Sequence, residues 1–254
     1  MKSDKELECE RYENRALSAL KENLDLPVGR SLEVLGPALR APYLCYQRQI
    51  RNCLASPKMK ALEIGAGTGM FTEMILETGA SVVATDISEA SLELLLKRVS
   101  NYANVETRVA DMESLPFDDG SFDAVLSAGS LSYGDNEVVM NEIYRVLKPG
   151  GKFACVDSLN HNPIYRLNRW IRYLRNQRTR STIERMPTLQ LVKSYAQKFG
   201  SVKDSYFGSV AWALPLLTIF LSEQNAARFS DKIDELFDVS KSAFKFVMVA
   251  EKNR

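Results

Sequence analysis

The fold of this chain is decided by residues 60–70, Lys60-Ala61-Leu62-Glu63-Ile64-Gly65-Ala66-Gly67-Thr68-Gly69-Met70. A short apolar strand runs into a glycine-rich turn, and residues 71–76 continue with a helix-like pattern. Glycine adopts backbone angles that other residues avoid, and it lets a ligand approach the main chain closely. The stretch therefore predicts a ligand-binding turn at the carboxyl end of a strand.

The elements that follow predict a parallel sheet. From Ala61 onward, short β-rich runs alternate with amphipathic helices, which is typical of an α/β sheet covered by helices on both faces. The predicted strands after the first are 81–86, 105–112, a fourth that ends at 127, 152–157, 202–207 and 243–250.

Two motifs carry a family resemblance. A dinucleotide-binding turn would need its third glycine at position 70, where Met70 stands instead. The pattern from Glu63 to Gly69, E-x-G-x-G-x-G, resembles motif I of the class I S-adenosylmethionine-dependent methyltransferases. Residues 145–153, Arg-Val-Leu-Lys-Pro-Gly-Gly-Lys-Phe, resemble the post-motif segment of that family. The resemblance covers about residues 58–158, and it implies S-adenosyl-L-methionine as cofactor. It also implies a Rossmann-like, doubly wound, seven-stranded sheet whose last strand is antiparallel.

The cofactor residues follow from these positions. Asp86 ends the second strand, where a carboxylate can accept both hydroxyls of a ribose. Asp111 and Met112 end the third predicted strand and can contact adenine, as the family resemblance supports, although Met112 as core packing is the alternative. The complete set expected at the cofactor is Glu63, Gly65, Gly67, Gly69, Asp86, Ile87, Asp111, Met112, Ser127 and Ala128.

A basic segment follows the fifth predicted strand. Residues 165–185 contain seven arginines and one acid, a net charge of +6 in a chain whose total is +1. Asn162 and Pro163 form a helix cap and first turn, and apolar residues at helical spacing continue to Leu174. Two interpretations are open. One is a solvated basic helix; the other is an anion-binding lid in which Arg166 and Arg169 hold the substrate, or a segment that meets an anionic membrane surface.

Candidates for acid–base chemistry are few. His161 is the only histidine, and an unperturbed imidazole titrates near neutrality, which suits a general base for a hydroxyl acceptor. A histidine beside a helix cap also bonds to backbone, so a structural role is the alternative. Tyr133 and Asp157 are the other candidates, and either Ser132 or Tyr133 is expected to face the substrate. No metal site is predicted, since a lone histidine cannot form a multi-histidine site and the acids are scattered.

The remaining segments complete the predicted organisation. Residues 1–57 form an N-terminal helical cap with helices over 4–24 and 43–54, which either folds over the cofactor, as in the family, or only covers apolar surface. Residues 58–158 form the cofactor-binding half, 159–187 a basic helical lid insertion, and 188–254 the rest of the Rossmann-like domain with an apolar insertion at 209–238. The linker between the first two helices is punctuated by Pro27, Gly29, Gly36, Pro37 and Pro42.

Composition limits the partners and the compartment. The 33 basic and 32 acidic residues leave no global field for nucleic acid, so none is expected as a partner. The four cysteines form no C-x-x-C pair and suggest reduced, buried thiols in a cytoplasmic protein. No apolar signal core follows Met1. The 12-residue apolar run Val210–Leu221 is shorter than the roughly 18 residues that span a bilayer. It is expected to be core, a dimer surface or a lipid-facing patch.

Several functions are compatible with these features. The first is an O-methyltransferase of a small, anionic, sugar-containing acceptor of surface polysaccharide or glycoside biosynthesis. The second is a methyltransferase of a lipid or quinone-like acceptor, with peripheral membrane contact through the 210–221 run. A third is a cofactor-binding protein without chemistry, and a nicotinamide dehydrogenase ranks last because of Met70. The chain is expected to be a monomer or a homodimer.

Overall fold

The computed structural model describes residues 2–21, 35–175 and 179–254. In these residues the strands are β1 Lys60–Ile64, β2 Ser81–Asp86, β3 Val105–Val109, β4 Phe122–Ala128, β5 Leu147–Ser158, β6 Ser201–Phe207 and β7 Lys245–Glu251. The helices are α1 Asp4–Lys21, α2 Pro37–Cys53, α3 Thr72–Leu76, α4 Glu89–Arg98, α5 Asn136–Val146, α6 Pro163–Leu174, α7 Arg180–Glu184, α8 Leu189–Phe199, α9 Leu214–Leu217 and α10 Glu223–Leu236. Short 3₁₀ turns lie at Leu131–Tyr133 and Ala211–Ala213.

All the strands form one sheet in the order β3-β2-β1-β4-β5-β7-β6. Strands β1 to β5 pair in parallel, whereas β7 is antiparallel to both β5 and β6. The predicted Rossmann-like sheet with an antiparallel last strand is confirmed. Because β1 lies between β2 and β4, the strand order reverses at β1, which is where such sheets bind ligands at their carboxyl ends.

The sheet separates two apolar cores. Successive side chains of a strand point to opposite faces, so Leu62 and Val125 pack on one side while Ala61 and Ala124 pack on the other. The first core is closed by α5 and α8, and the second by α2, α3 and α4. Both faces are therefore covered, as the near-continuous apolar strands predict.

Two predicted boundaries were wrong by more than three residues, and the third strand, predicted over 105–112, ends at Val109 because Asp111 pairs with Ser114 in the turn that follows. Helix α2 begins at Pro37, six residues before the predicted Tyr43. Proline is tolerated in the first turn of a helix because the backbone N–H that it lacks would have no hydrogen-bond partner within the helix there. Pro42 also lies inside this helix. Residues 22–34, with Leu24, Pro27 and Gly29 of the predicted helix end and linker, lie outside the described residues.

The second wrong boundary concerns residues 148–151, predicted as a chain reversal before the fifth strand. They belong to β5, which begins at Leu147 opposite Phe122 and continues at Lys152 opposite Ala124. The three extra residues on β5 form an irregularity in the ladder, and Gly150 adopts φ +73° there. Proline and glycine thus mark a bulge in the strand, since glycine takes the left-handed conformation without a steric cost.

The apolar run 210–221 is mostly a surface feature. Leu214 is buried, but Leu216, Ile219, Phe220 and Leu221 are exposed. Across residues 2–21, 35–175 and 179–254, no helix combines the length and the apolar character that a bilayer crossing requires. Of the four cysteines, all free thiols, Cys53 and Cys155 are buried as predicted, whereas Cys9 and Cys45 are only partly so.

Candidate functional site

A cavity of about 440 Å³ lies at the carboxyl ends of β1 to β4. Its floor is the main chain of the glycine turn, and its roof is the inner face of α1. The predicted site residues that line it are Gly65, Gly67, Asp86, Ile87, Asp111, Met112, Ala128 and Tyr133. The residues that sequence analysis missed include Lys5, Glu8, Tyr12, Arg15, Ala66, Thr68, Met70, Phe71, Leu94, Arg98, Gly129 and Ser130.

The three glycines of the turn have different tasks. All have positive φ, at +63°, +55° and +77° for Gly65, Gly67 and Gly69. A Cβ on Gly65 would lie 2.4 Å from Ser130 Cβ, whereas a Cβ on Gly67 would meet nothing within 4 Å. A Cβ on Gly69 would lie 2.7 Å from Leu95 Cγ, so this glycine permits close packing of α4 and does not line the cavity.

Asp86 is fixed in the cavity wall by the backbone. Its Oδ2 accepts a hydrogen bond from the Gly67 N–H at 2.8 Å, and its Oδ1 accepts one from the Ser88 N–H at 3.0 Å. Burial raises the pKa of this carboxyl group, while the Ser88 and Gly67 bonds act in the opposite direction. Each carboxylate oxygen has a second lone pair, so Asp86 can still accept hydroxyl groups from a ligand.

Asp111 and Met112 form another part of the wall. Asp111 Oδ1 accepts the Glu113 N–H at 2.9 Å, and Oδ2 forms an ion pair with Lys5 of α1. Met112 packs against the first core, as its alternative role predicts, and it also lines the cavity. An acceptor and a polarizable apolar side chain therefore stand side by side.

Glu63 and Ser127 lie below the cavity and do not line it. Glu63 Oε2 accepts the Thr72 hydroxyl at 2.7 Å, and burial raises the pKa of Glu63 from 4.5 to about 8. The Ser127 and Ser130 hydroxyls are 2.6 Å apart, and the Ser130 hydroxyl also donates to the Ile64 carbonyl. These buried contacts hold the ends of β1 and β4 in position under the glycine turn.

Helix α1 covers the cavity and is anchored by acidic side chains. Near its start, Glu8 accepts bonds from the Thr179 N–H and hydroxyl at the beginning of α7. Further along, Glu13 accepts the Ser88 hydroxyl at 2.6 Å. Beyond Glu13, Ala16 packs against Ala90 and Leu94 of α4. Side chains of α1 thus accept hydrogen bonds from donors at the starts of α7 and α4. The sequence of α1 alone does not indicate these partners.

Tyr12 of α1 meets Tyr133 of the turn after β4. Their hydroxyl oxygens are 2.5 Å apart, and their rings meet edge to face with centroids 5.5 Å apart. Both tyrosines line the cavity. The pair places two hydroxyl groups at the cavity wall, where they can orient an acceptor.

The structure does not bring the other predicted substrate and acid–base residues to the cavity. His161 Nε2 accepts the Leu189 N–H at 2.9 Å at the start of α8, which is the structural one of its two predicted roles. Arg169 is buried and donates to the Leu159 carbonyl at 2.9 Å, while Arg166 is exposed on α6. Asp157 is buried, and its carboxylate accepts hydrogen bonds from the backbone N–H groups of Leu131 and Ser158.

No cluster of metal-binding residues occurs in the part of the chain that the structure describes.

The sheet order, the glycine turn and the carboxylates at adjacent strand ends define a protein with the class I methyltransferase fold. Residues 62–155 match the family model described as a methyltransferase domain. This match begins in β1, includes the glycine turn and ends within β5.

Two curated relatives resemble this domain. The demethylmenaquinone methyltransferase of Clavibacter sepedonicus is 41% identical over 113 residues, which are 42% of this chain and 44% of the relative. The ubiquinone/menaquinone biosynthesis C-methyltransferase UbiE of Escherichia fergusonii is 36% identical over 104 residues, 38% of this chain and 41% of the relative. The chain thus matches less than half the length of these two proteins.

A solved structure shows the same fold. The geranyl diphosphate C-methyltransferase of Streptomyces coelicolor A3(2), determined with Mg²⁺, geranyl diphosphate and S-adenosyl-L-homocysteine, superposes with a TM-score of 0.57 at 18% identity. The superposition covers 84% of this chain and 79% of that protein. The likeness therefore extends beyond residues 62–155 to most of the architecture.

Proposed function

We propose that this protein is an S-adenosyl-L-methionine-dependent methyltransferase of a small lipid or quinone-like acceptor. The observation that carries the cofactor is the cavity wall: the glycine turn at residues 65–68, with Asp86 at the end of β2 and Asp111 just after the adjacent β3. A Cβ at Gly67 would point into open space, which leaves room for a ligand against the backbone.

The residues present fit this cofactor. Residues 65–68 form a surface for the methionine part, Asp86 accepts the ribose hydroxyls, and Asp111 with Met112 holds the adenine. When bound, the cofactor supplies a methyl group on an electrophilic sulfonium. The protein's contribution is then orientation and exclusion of water, and orientation alone is worth roughly 7–11 kcal/mol in favourable cases. The cover formed by α1 and the Tyr12–Tyr133 pair serve these two tasks.

The acceptor class rests on two supports. The names of both curated relatives describe methyl transfer in quinone biosynthesis. The cavity also has apolar side chains beside the glycine turn, among them Met70, Phe71 and Met112. The hypothesis of an anionic, sugar-containing acceptor depended on Arg166 and Arg169 as substrate-binding residues. Neither residue lines the cavity, so we prefer the quinone-like acceptor.

Cofactor binding is tested by thermal melting with S-adenosylhomocysteine and, separately, with NAD. Ligand at about 100 times its dissociation constant adds roughly 2.7 kcal/mol, which raises the midpoint by several degrees. Asp86→Asn should weaken S-adenosylhomocysteine binding about tenfold or more, because a hydrogen bond to a charged group is worth about 1.5–3 kcal/mol. The matched control is Asp118→Asn, an exposed carboxylate outside the cavity lining. A response to NAD alone would refute the cofactor proposal.

Methyl transfer is tested with labelled S-adenosylmethionine and two acceptors, a nucleotide sugar and a demethylated naphthoquinone with a short prenyl tail, supplied in its reduced hydroquinone form because the electrophilic methyl group needs an electron-rich acceptor. The expected result is label in the quinone. Label in the nucleotide sugar would refute the acceptor class and retain the enzyme. Cofactor binding without product from either compound or from fractionated cell extracts would favour the non-catalytic alternative.

A further inference from the structure

Helix α6 is attached to the protein by one narrow face. Tyr165 donates its hydroxyl to the Gly208 carbonyl at 2.9 Å, and its ring packs on Phe244. Four residues on, Arg169 is buried and donates to the Leu159 carbonyl. Residues four apart share one side of a helix, so this side is the one that faces the body of the protein.

The opposite side of α6 is apolar and exposed. Leu167 and Leu174 are 57% and 58% exposed, and Ile164, Trp170 and Ile171 are exposed as well. At 100° per residue, these five positions form a continuous stripe centred about 160° away from Tyr165 and Arg169. A helix at the surface of a globular protein normally turns its apolar stripe to the core, and α6 does the reverse.

Arginines border this stripe. Arg166 lies beside one edge of the stripe and Arg175 beside the other, and both are exposed. A guanidinium group is a fork of donors that matches phosphate oxygens, and its apolar stem can lie along a hydrophobic surface. An apolar stripe with basic edges is the pattern of a helix that lies in the plane of a membrane interface.

A second exposed apolar patch follows β6. Ile219 and Phe220 are 71% and 86% exposed, and Leu216 and Trp212 are also exposed. The Tyr165–Gly208 bond joins α6 to the segment that leads into this patch. Both tryptophans of the chain, Trp170 and Trp212, therefore belong to these two patches.

We propose that α6 and residues 212–221 form a docking surface for a bilayer that contains anionic phospholipids. The charges favour this partner over a second copy of the chain. In a symmetric dimer formed through the stripe, the arginines of one copy would meet those of the other, whereas lipid phosphates neutralise them. The inference rests on this surface and stands independently of the acceptor.

The test uses the intrinsic fluorescence of the full-length protein with vesicles of phosphatidylcholine, with and without phosphatidylglycerol. Binding to the anionic vesicles should shift the tryptophan emission to shorter wavelength, and brominated lipid should quench it. Both effects should weaken at high salt, because screening reduces the attraction between arginine and phosphate. Neither acceptor nor cofactor is added, so failure of the acceptor proposal would leave this result unchanged.

Variants assign the binding to the surface. Leu167→Asp with Leu174→Asp should reduce vesicle affinity at least tenfold, as should Arg166→Gln with Arg175→Gln on anionic vesicles. The matched control is Leu96→Asp, an exposed leucine of α4 away from both patches, which should bind as the wild type does. Thermal melting of each variant checks that it remains folded.

Two results would overturn the proposal. One is unchanged emission with anionic vesicles, or equal binding by the Leu167/Leu174 variant and the wild type. The other is a concentration-dependent dimer in sedimentation velocity, without vesicles, that the same two substitutions abolish. That second result would assign the stripe to a second copy of the chain.

Discussion

The hydroxyl oxygens of Tyr12 and Tyr133 lie 2.5 Å apart at the wall of the cavity, although 121 residues separate them in the chain. One comes from the helix that covers the cavity and the other from the turn after β4. If this pair orients the acceptor, Tyr133→Phe should lower kcat at least about tenfold, the effect of one hydrogen bond of about 1.4 kcal/mol. Affinity for S-adenosylhomocysteine should not change.

Initial rates with the acceptor and calorimetric titration with S-adenosylhomocysteine measure the two effects. Tyr206→Phe on β6 is the control, since it removes a tyrosine hydroxyl that bonds Asp204 far from the cavity. Equal kcat for both variants would remove Tyr133 from the site.

Substitutions at two glycines of the turn should affect ligand binding and stability to different degrees. The methyl group of Gly67→Ala would point into the open space that we assign to the cofactor, so we expect cofactor affinity to fall at least tenfold. Because Gly67 has a positive φ, alanine there also costs about 1–2 kcal/mol of backbone strain. Gly65→Ala adds the same strain and a clash with Ser130, so it should lower the melting temperature further. Titration and melting of both variants check this. Unimpaired cofactor binding by Gly67→Ala would contradict the proposed position of the methionine part.

His161 is expected to stabilise the protein without taking part in chemistry. Its imidazole accepts the Leu189 N–H, so His161→Ala leaves a donor at the start of α8 without its partner and should cost about 1–2 kcal/mol of stability. Thr188→Ala, which removes the bond to the Leu191 N–H in the same helix turn, should cost a similar amount. Denaturant unfolding and kcat are measured for both. A tenfold loss of kcat in His161→Ala alone would restore the catalytic role.

Glu63 should make the free protein less stable as the pH rises. Its pKa is raised from 4.5 to about 8 by burial, so between these values the folded state holds a proton that the unfolded state has lost. The free energy of unfolding therefore falls as the pH increases through this window. Glu63→Gln can still accept the Thr72 hydroxyl, and it should be more stable than the wild type above pH 8, by on the order of a few kcal/mol.

Thermal melting from pH 5 to pH 9 tests this expectation. Near pH 5 the variant and the wild type should be nearly equal. Glu106→Gln, an exposed glutamate on the edge strand β3, should retain the wild-type pH dependence. Parallel curves for Glu63→Gln and the wild type would show that Glu63 is already ionised in the folded protein.

The cover formed by α1 should depend on its bonds to other helices. Glu13→Gln weakens the contact with Ser88 and the Ala90 N–H, so we expect faster hydrogen exchange in residues 4–21 and a several-fold loss of cofactor affinity. Glu10→Gln is the control on the same helix, because Glu10 is exposed and forms an ion pair with Lys2, which precedes α1. Identical exchange in the two variants would mean that the anchor does not hold α1 in place.

The sequence determined the sheet and half of the cavity. Strand, glycine turn and helix are local patterns, and the parallel topology then brings the strand ends together. For this reason Gly65, Gly67, Asp86, Ile87, Asp111 and Met112 could be placed at one site from their positions in the chain. Strand boundaries were less certain where proline and glycine permit either a turn or a bulge, as at residues 148–151.

Only the tertiary structure decided what covers the cavity and what faces solvent. The anchors of α1 join residues far apart in the chain, as between Glu8 and Thr179, and no local spacing encodes such a pair. The same holds for α6. Its pattern predicts an apolar stripe, but the stripe points outward because Tyr165 and Arg169 have partners on the body of the protein. Periodicity fixes which residues share a face, whereas long-range contacts decide which way that face is turned.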